Sequence, residues 1–289
     1  MNVPVFILAG QSNVGFLAAE IEDAFEDQYG VGNFELIRVF DSGAPLTRSR
    51  EQQLDWETPG ELRDALTAET INALLADDDR SFGGMIWIQG EADTYTTAGA
   101  DRYETRLDEL FDDFRSDVSA ALGDDDLGFD TAPITILELS EQAPEAENRI
   151  GWDRVIEAQR DVAQDDTLVQ TLDPDVVALD ANLSVGSLFR DGLHYTDDFG
   201  VLIAEELVQS LSDPVPAEDL IEEEPEDEGG ADLVEDPDLP VLPVVEPVLL
   251  DEDGSEDAQP EPIDDGGGGM DGILFVLPLL GVLAAFGAA

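Results

Sequence analysis

The sequence contains no cysteine, which excludes disulfide bonds and thiolate metal sites. Its single histidine, His194, also excludes a metal site built from several imidazoles. Lysine is absent, so the cationic side chains are 12 arginines, against 69 aspartate and glutamate residues. The formal net charge of −57 argues against a nucleic-acid partner, because binding to phosphates requires a basic surface.

The acidic residues are spread over the whole chain. Residues 1–213 contain 47 of the acids and all 12 arginines, a net charge of −35, and residues 214–289 contain the other 22 acids. Salt screens repulsion between like charges, with a Debye length of roughly 3 Å at 1 M. We therefore predict a halophilic adaptation of the folded part, or one to divalent cations that lie between carboxylates.

The composition divides the chain near residue 213. Residues 1–213 alternate apolar runs with amphipathic segments and are the predicted folded domain. Residues 214–269 are rich in Pro, Asp, Glu and Gly without periodicity, which predicts an extended acidic linker. Residues 270–289 are an apolar C-terminal segment.

The apolar run at residues 273–289 would span about 26 Å as a helix, the lower edge of a membrane crossing. It leaves three roles open: membrane or envelope attachment, a secretion or sorting signal, and docking on another protein. At the other end, residues 3–8 follow no basic region, so we predict no N-terminal signal peptide. Cellular location and oligomeric state stay open.

Five apolar runs predict strands, at residues 3–9, 35–40, 84–89, 134–139 and 176–179. Amphipathic stretches predict helices at residues 14–26, 60–76, 98–122, 150–163 and 197–211. This alternation predicts an α/β fold with a parallel sheet between two layers of helices. In such folds, ligands bind at the carboxyl ends of the strands.

Residues 6–13, FILAGQSN, end a buried strand at a glycine and place Ser12 at the start of a helix. The free amides of a helix N-terminus stabilise an oxyanion there. Ser and Asn are also common helix N-caps, so from this segment alone a capping role for Ser12 is as well supported as a catalytic one.

Residues 190–195, RDGLHY, contain the only histidine. Asp191 precedes His194 by three residues, close enough in a tight turn to bind one ring nitrogen. The other nitrogen is then free to accept a proton from a serine. A single histidine is often only packed or exposed, but two such segments in one chain, each just before a helix, favour a catalytic pair.

Residues 86–93, IWIQGEAD, also lead from a strand into polar residues. Gln89 and the amide of Gly90 could direct donors into the same crevice. Glu91 and Asp93 are equally explained as two more acids in an acidic protein, and for Asp93 we favour that explanation.

Together these segments resemble the blocks of the SGNH-hydrolase superfamily, and within it the sialate O-acetylesterase-like group, similar to carbohydrate esterase family 6. The resemblance covers residues 3 to about 211. It implies a flavodoxin-like, three-layer α/β/α sandwich with a five-stranded parallel sheet. It also implies hydrolysis of acetyl esters, often on carbohydrates, without a cofactor or metal.

The resemblance assigns Ser12 as the nucleophile, His194 as the general base and Asp191 as the residue that orients it. For the oxyanion hole it implies the Ser12 amide, a glycine of the second block, for which Gly43 is our candidate, and the Gln89 side chain. Three further residues are expected to support the site, namely Asn13, Gly90 and Glu91.

The leading hypothesis is a serine esterase that removes O-acetyl groups from sialic acid or an acetylated polysaccharide. The alternatives are a non-catalytic glycan-binding surface module on the same fold, and a lipase or thioesterase. The loops 47–59 and 141–148, which would contact a sugar, contain no recognisable motif that identifies the substrate. Trp56 in the first loop either stacks on a sugar ring or is packed locally.

Overall fold

The computed structural model describes residues 3–50, 54–57, 60–77, 79–123, 128–129 and 131–212. The strands are β1 (Val3–Gly10), β2 (Glu35–Phe40), β3 (Arg80–Ile88), β4 (Ile134–Leu137) and β5 (Val169–Leu172). The α-helices are α1 (Ser12–Tyr29), α2 (Glu61–Leu75), α3 (Thr97–Leu122), α4 (Trp152–Asp165), α5 (Pro174–Asp180) and α6 (Asp197–Ser212).

All five strands are parallel and lie in the order β2-β1-β3-β4-β5. At the carboxyl edge, Gly10 of β1 lies opposite Phe40 of β2 and Ile88 of β3. The segments that follow these three strands therefore meet at one edge. The predicted α/β fold with a five-stranded parallel sheet is confirmed.

Each face of the sheet is covered by its own hydrophobic core. In β1, Val5, Ile7 and Ala9 point into the core shared with α2, α3 and α4. Phe6 and Leu8 point into the opposite core, shared with α1, α5 and α6. This alternation is the period-two geometry of a strand buried on both faces, and it produces the three layers.

The fifth strand was predicted in the wrong place. Residues 176–179 belong to α5, and β5 lies earlier, at Val169–Leu172. The side chain of Asp173 caps the helix by accepting a hydrogen bond from the Asp175 amide, and Pro174 occupies its first turn. A short apolar run does not distinguish strand from helix, and these local signals decide for helix.

No helix in the described part of the chain is long and apolar enough to cross a membrane. The predicted linker, residues 214–269, and the apolar segment, residues 270–289, lie outside the described residues. Their roles stay predictions.

Candidate active site

A sharp turn joins β1 to α1 and exposes the start of the helix. Gly10 has a φ of 144°, and a Cβ there would lie 1.9 Å from the carbonyl oxygen of Ile88. Only glycine permits this approach, which lets the amide of Gln11 donate to that same oxygen at 2.9 Å. Helix α1 begins immediately afterwards at Ser12, whose N–H is one of the first-turn amides without an intrahelical acceptor.

Ser12, His194 and Asp191 form a continuous chain of hydrogen bonds, although about 180 residues separate the first from the other two. Ser12 Oγ lies 2.9 Å from His194 Nε2, and His194 Nδ1 lies 2.8 Å from Asp191 Oδ2. Asp191 Oδ1 accepts from the backbone amides of Leu193 and His194, each at 2.8 Å. The structure therefore brings together all three residues that the sequence predicts as a triad.

The environment of Asp191 favours its ionised form, and 51 % of the side chain is exposed to water. Partial burial alone would raise the pKa of Asp191. The hydrogen bond from the His194 ring, and those from the amides of His194 and Leu193, outweigh burial and hold the pKa below its usual value. An ionised carboxylate at this position fixes the tautomer in which His194 Nε2 accepts a proton.

The His194 ring also packs against Phe16, which the sequence did not single out. The two ring centroids are 4.3 Å apart, and the guanidinium of Arg190 lies 4.6 Å from the Phe16 centroid. Phe16 follows Ser12 by four residues in α1, so both side chains share one helix face. That spacing is the sequence signal that could have identified it.

Glu91 is a buried carboxyl that connects β3 to the nucleophile turn. Its Oε1 accepts from Asn13 Nδ2 at 2.7 Å, and the same amide nitrogen approaches the Leu193 carbonyl at 3.4 Å. Glu91 Oε2 and Asn13 Oδ1 have no hydrogen-bond partner among the described residues. Burial raises the pKa of Glu91, against the opposing effects of its hydrogen bonds and of nearby His194 and Arg149.

Asp93 is buried and accepts four hydrogen bonds, so our explanation of it as one more acid in an acidic protein is wrong. The donors are the Leu46 amide at 2.9 Å, the Thr47 amide at 2.9 Å, the Thr47 hydroxyl at 2.6 Å and Gln89 Nε2 at 2.7 Å. These bonds attach the loop after β2 to the end of β3. An acid only five residues beyond a buried strand was the available signal.

Gln89 lies at the predicted edge, but its side chain is occupied. Its Nε2 donates to the Ala44 carbonyl at 3.0 Å as well as to Asp93, which uses both amide hydrogens. In this arrangement Gln89 holds the loop and has no hydrogen left for an oxyanion. The N–H of Gly43, in contrast, donates to no described residue.

Gly90 and Trp56 both have packing roles. Gly90 has a φ of 149°, and a Cβ there would lie 3.0 Å from Val155. Trp56 is 1 % exposed, and its Nε1 donates to the Gly10 carbonyl at 3.0 Å. Of the two alternatives for Trp56, the structure supports local packing rather than a sugar contact.

Within the described residues, no group of three or more histidine, aspartate or glutamate side chains is arranged to hold a metal ion.

The model of a family described as carbohydrate esterase, sialic acid-specific acetylesterase, matches residues 49–209, more than half of the chain. The chain belongs to this family. It is a carbohydrate esterase, a carboxylic ester hydrolase, and the resemblance found in the sequence is confirmed. The match includes Asp191 and His194 but begins after Ser12, so Ser12 is a candidate nucleophile through its motif and its position beside His194.

Several solved structures share the fold. NanS is 15 % identical with a TM-score of 0.56, covering 73 % of this chain and 97 % of its own. A protein from Arabidopsis thaliana is 16 % identical with a TM-score of 0.54, covering 73 % and 98 %. A putative GDSL-like lipase from Parabacteroides merdae is 10 % identical with a TM-score of 0.50, covering 73 % and 96 %. No curated protein is similar enough in sequence to match this chain.

Proposed function

We propose that the protein is a serine esterase that removes O-acetyl groups from a carbohydrate through an acyl-enzyme on Ser12. The supporting observation is the hydrogen-bond chain from Asp191 through His194 to Ser12 Oγ. Nucleophile, base and orienting carboxylate are the three groups that acyl transfer by a serine requires. A serine that served only as a helix N-cap would need neither a histidine nor an aspartate beside its hydroxyl group.

In the first step, His194 Nε2 accepts the proton of Ser12 Oγ while this oxygen attacks the acetyl carbonyl carbon. The negative charge develops on the former carbonyl oxygen. The Ser12 amide, at the positive end of α1, is the proposed donor to it, together with the Gly43 amide. The carbon–oxygen bond to the sugar then breaks, and His194 donates its proton to the departing alcohol.

In the second step, water attacks the acetyl-Ser12 ester and His194 accepts a proton from that water. The bond to Ser12 Oγ breaks, acetate leaves, and His194 returns the proton to Ser12. The Asp191 carboxylate stabilises the imidazolium that forms in both steps. Every proton transfer in this cycle uses a protein side chain or water.

Glu91, Asn13 and Asp93 are proposed as supporting residues. Glu91 and Asn13 connect the nucleophile turn with Leu193, the residue before the general base. Asp93 fixes the loop that contains Gly43 through the amides of Leu46 and Thr47. Neither Glu91 nor Asp93 takes part in the reaction in this proposal. Both carboxyl groups hold the segments that carry Ser12, His194 and Gly43 in place.

The decisive experiment is an acetate-release screen at high salt over O-acetylated sialic acid, acetylated xylan and simple acetyl esters. The unaltered protein is compared with Ser12→Ala. We expect the variant to lose at least about 10³-fold in kcat, because no other group forms the acyl-enzyme. Equal rates for the two proteins would defeat the esterase proposal and favour a glycan-binding module. Faster hydrolysis of p-nitrophenyl esters with long acyl chains than of p-nitrophenyl acetate, measured alongside the screen, would favour a lipase.

We further propose that residues 214–269 tether the esterase domain to the apolar segment 270–289. The high content of Pro and acids in the linker supports this organisation. A chain truncated after residue 213 should retain its activity and its unfolding temperature. A substantial loss of either would place part of the tail in the folded domain.

A further inference from the structure

Tyr95 is the most exposed aromatic side chain among the described residues. It is 59 % exposed, whereas the three tryptophans are at most 2 % exposed. It follows β3 and the short helical turn Glu91–Asp93, so it lies on the carboxyl side of the sheet where the triad is located. An aromatic ring left in water at this edge is a candidate contact for a ligand.

The ring of Tyr95 is supported from one side. The guanidinium of Arg149 lies 4.1 Å from its centroid, while the Arg149 side chain itself is buried. Arg149 Nη1 donates to the Glu91 carbonyl at 2.7 Å, which fixes the guanidinium. The guanidinium therefore supports one ring face, while more than half of the residue stays exposed to solvent. A ring fixed before binding loses less conformational entropy when a ligand packs on it.

The segment 145–151 connects this ring with the catalytic turn. At its start, the Glu145 amide donates to the carbonyl of Gly192, between Asp191 and His194, at 3.1 Å. At its end, the Gly151 amide donates to the Thr94 carbonyl at 2.9 Å, next to Tyr95. Tyr95 and the catalytic turn therefore flank one short segment, which at about 3.5 Å per residue limits their separation to roughly 25 Å. An oligosaccharide or polysaccharide can extend over such a distance.

The chemistry around Tyr95 selects a neutral sugar. An aromatic face suits the C–H face of a pyranose ring, and Ile150, the residue after Arg149 in the chain, adds an apolar side chain that is 74 % exposed. The Arg149 guanidinium against the ring is paired with Glu145, whose Oε2 lies 3.8 Å from Arg149 Nε, so this cation is already compensated. Glu147 of the same segment, in a domain of net charge −35, then disfavours a carboxylate on the ligand.

We propose that Tyr95, on the support of Arg149, is a subsite that stacks on a neutral pyranose of an acetylated oligosaccharide or polysaccharide. The stacked ring is not the one whose ester is cleaved at Ser12. The proposal rests on the esterase function and specifies its substrate class.

The test compares the full chain with Tyr95→Ala, Tyr95→Phe and a control, Leu179→Ala, which removes an exposed apolar side chain from α5. The readout is the ratio of kcat/KM for an acetylated xylo-oligosaccharide to kcat/KM for p-nitrophenyl acetate. We expect Tyr95→Ala to lower this ratio about tenfold, mainly through KM, because only the oligosaccharide reaches the ring. Tyr95→Phe keeps the stacking face and should restore the ratio, and Leu179→Ala should not change it.

Loss of activity on both substrates in proportion would show that Tyr95 is structural and would overturn the subsite. An unchanged ratio of the two kcat/KM values in Tyr95→Ala would also overturn the subsite. If Tyr95→Ala instead raises KM for O-acetylated sialic acid and not for the neutral oligosaccharide, the neutral class is wrong.

A binding measurement separates this proposal from the esterase proposal. Unacetylated xylohexaose is titrated calorimetrically into Ser12→Ala and into the double variant with Tyr95→Ala. Weaker binding by the double variant supports the subsite whether or not esters are hydrolysed. Equal binding, or no binding to either protein, overturns it.

Discussion

Two carboxyl groups at the same edge of the sheet have opposite environments. Asp191 is half exposed and accepts three hydrogen bonds, and its pKa is lowered. Glu91 is 4 % exposed with one oxygen unpartnered among the described residues, and its pKa is raised. In a chain with 69 acids, the residue type therefore says little about role. Hydrogen-bond donors lower the pKa of one carboxyl group, and burial raises the pKa of the other.

The largest expected effect on activity comes from Asp191, the exposed carboxyl group of the two. Asp191→Asn should lower kcat by about 10³–10⁴-fold, because an amide no longer fixes the tautomer of His194 or stabilises the imidazolium. Hydrolysis of p-nitrophenyl acetate measures kcat. Thermal unfolding serves as the control, and we expect only a small shift because the side chain is half exposed. A loss below tenfold would contradict the role of Asp191.

The second effect concerns Asp93, the buried carboxyl with the most donors. Asp93→Ala should lower the free energy of unfolding by about 3–5 kcal/mol, since it leaves the Leu46 and Thr47 amides and Gln89 without their acceptor. Urea unfolding measures the loss. The matched control is Asp113→Ala, whose carboxylate pairs with Arg63 but is half exposed, and its cost should be about 1 kcal/mol or less. Equal costs for the two would contradict the structural role of Asp93.

The third effect is the contrast between two substitutions of Glu91. Glu91→Gln keeps an oxygen acceptor for Asn13 without charge, so the free energy of unfolding should change by less than about 1 kcal/mol, whereas Glu91→Ala should cost about 2 kcal/mol. Activity should follow the same order. A Glu91→Gln variant as impaired as Glu91→Ala would show that the charge of Glu91 is required.

Glu91 and Asp191 should also differ in how they change the free energy of unfolding with pH. The pKa of Glu91 is higher in the folded state than its ordinary value of 4.5, so the folded state binds more protons between the two values. The stability of the unaltered protein relative to Glu91→Gln should therefore increase as pH falls from neutral towards 4.5. Asp191 has the opposite sign, because its lowered pKa stabilises the fold above its ordinary value of 3.8 and this contribution is lost below it. Urea unfolding of the unaltered protein and of Glu91→Gln between pH 4 and pH 7 measures the Glu91 contribution, and a stability difference that decreases as pH falls would contradict the prediction. For Asp191 and Asp191→Asn the measurement has to extend below the ordinary pKa of 3.8.

The smallest and least specific effect is that of salt. Exposed carboxylates repel one another through solvent, and molar salt screens this repulsion, whereas buried groups are screened much less. The unfolding temperature of the unaltered protein should rise by several degrees between dilute buffer and about 1 M KCl. The destabilisation caused by Asp93→Ala should persist across this range. A falling unfolding temperature would contradict the predicted adaptation to high salt.

Much of the fold could be predicted because the strands at 3–9, 35–40, 84–89 and 134–139 are apolar runs between amphipathic helices. The fifth strand could not, since residues 176–179 are as apolar as a strand and only the cap at Asp173 and Pro174 make them helical. In the site, unusual residues were predictable: the one histidine, the aspartate three residues before it, and a serine after a strand-ending glycine. The hydrogen bonds of Gln89 and Asp93 to the loop after β2 were not, because these partners lie more than 40 residues away in the chain.

The sequence predicts the layered fold and the acidity of the whole chain, because these follow from local periodicity and from counting residues. It also predicts the three residues proposed as a triad, because they stand in short motifs that resemble those of a known family. The tertiary structure alone decided which of the many carboxyl groups are buried, that Trp56 packs inside while Tyr95 remains in solvent, and that Gln89 holds a loop. The physical reason is that burial and hydrogen-bond partners come from segments far apart in the chain, such as Asn13 with Glu91 and Leu46 with Asp93. These long-range contacts cannot be predicted from the sequence around either residue.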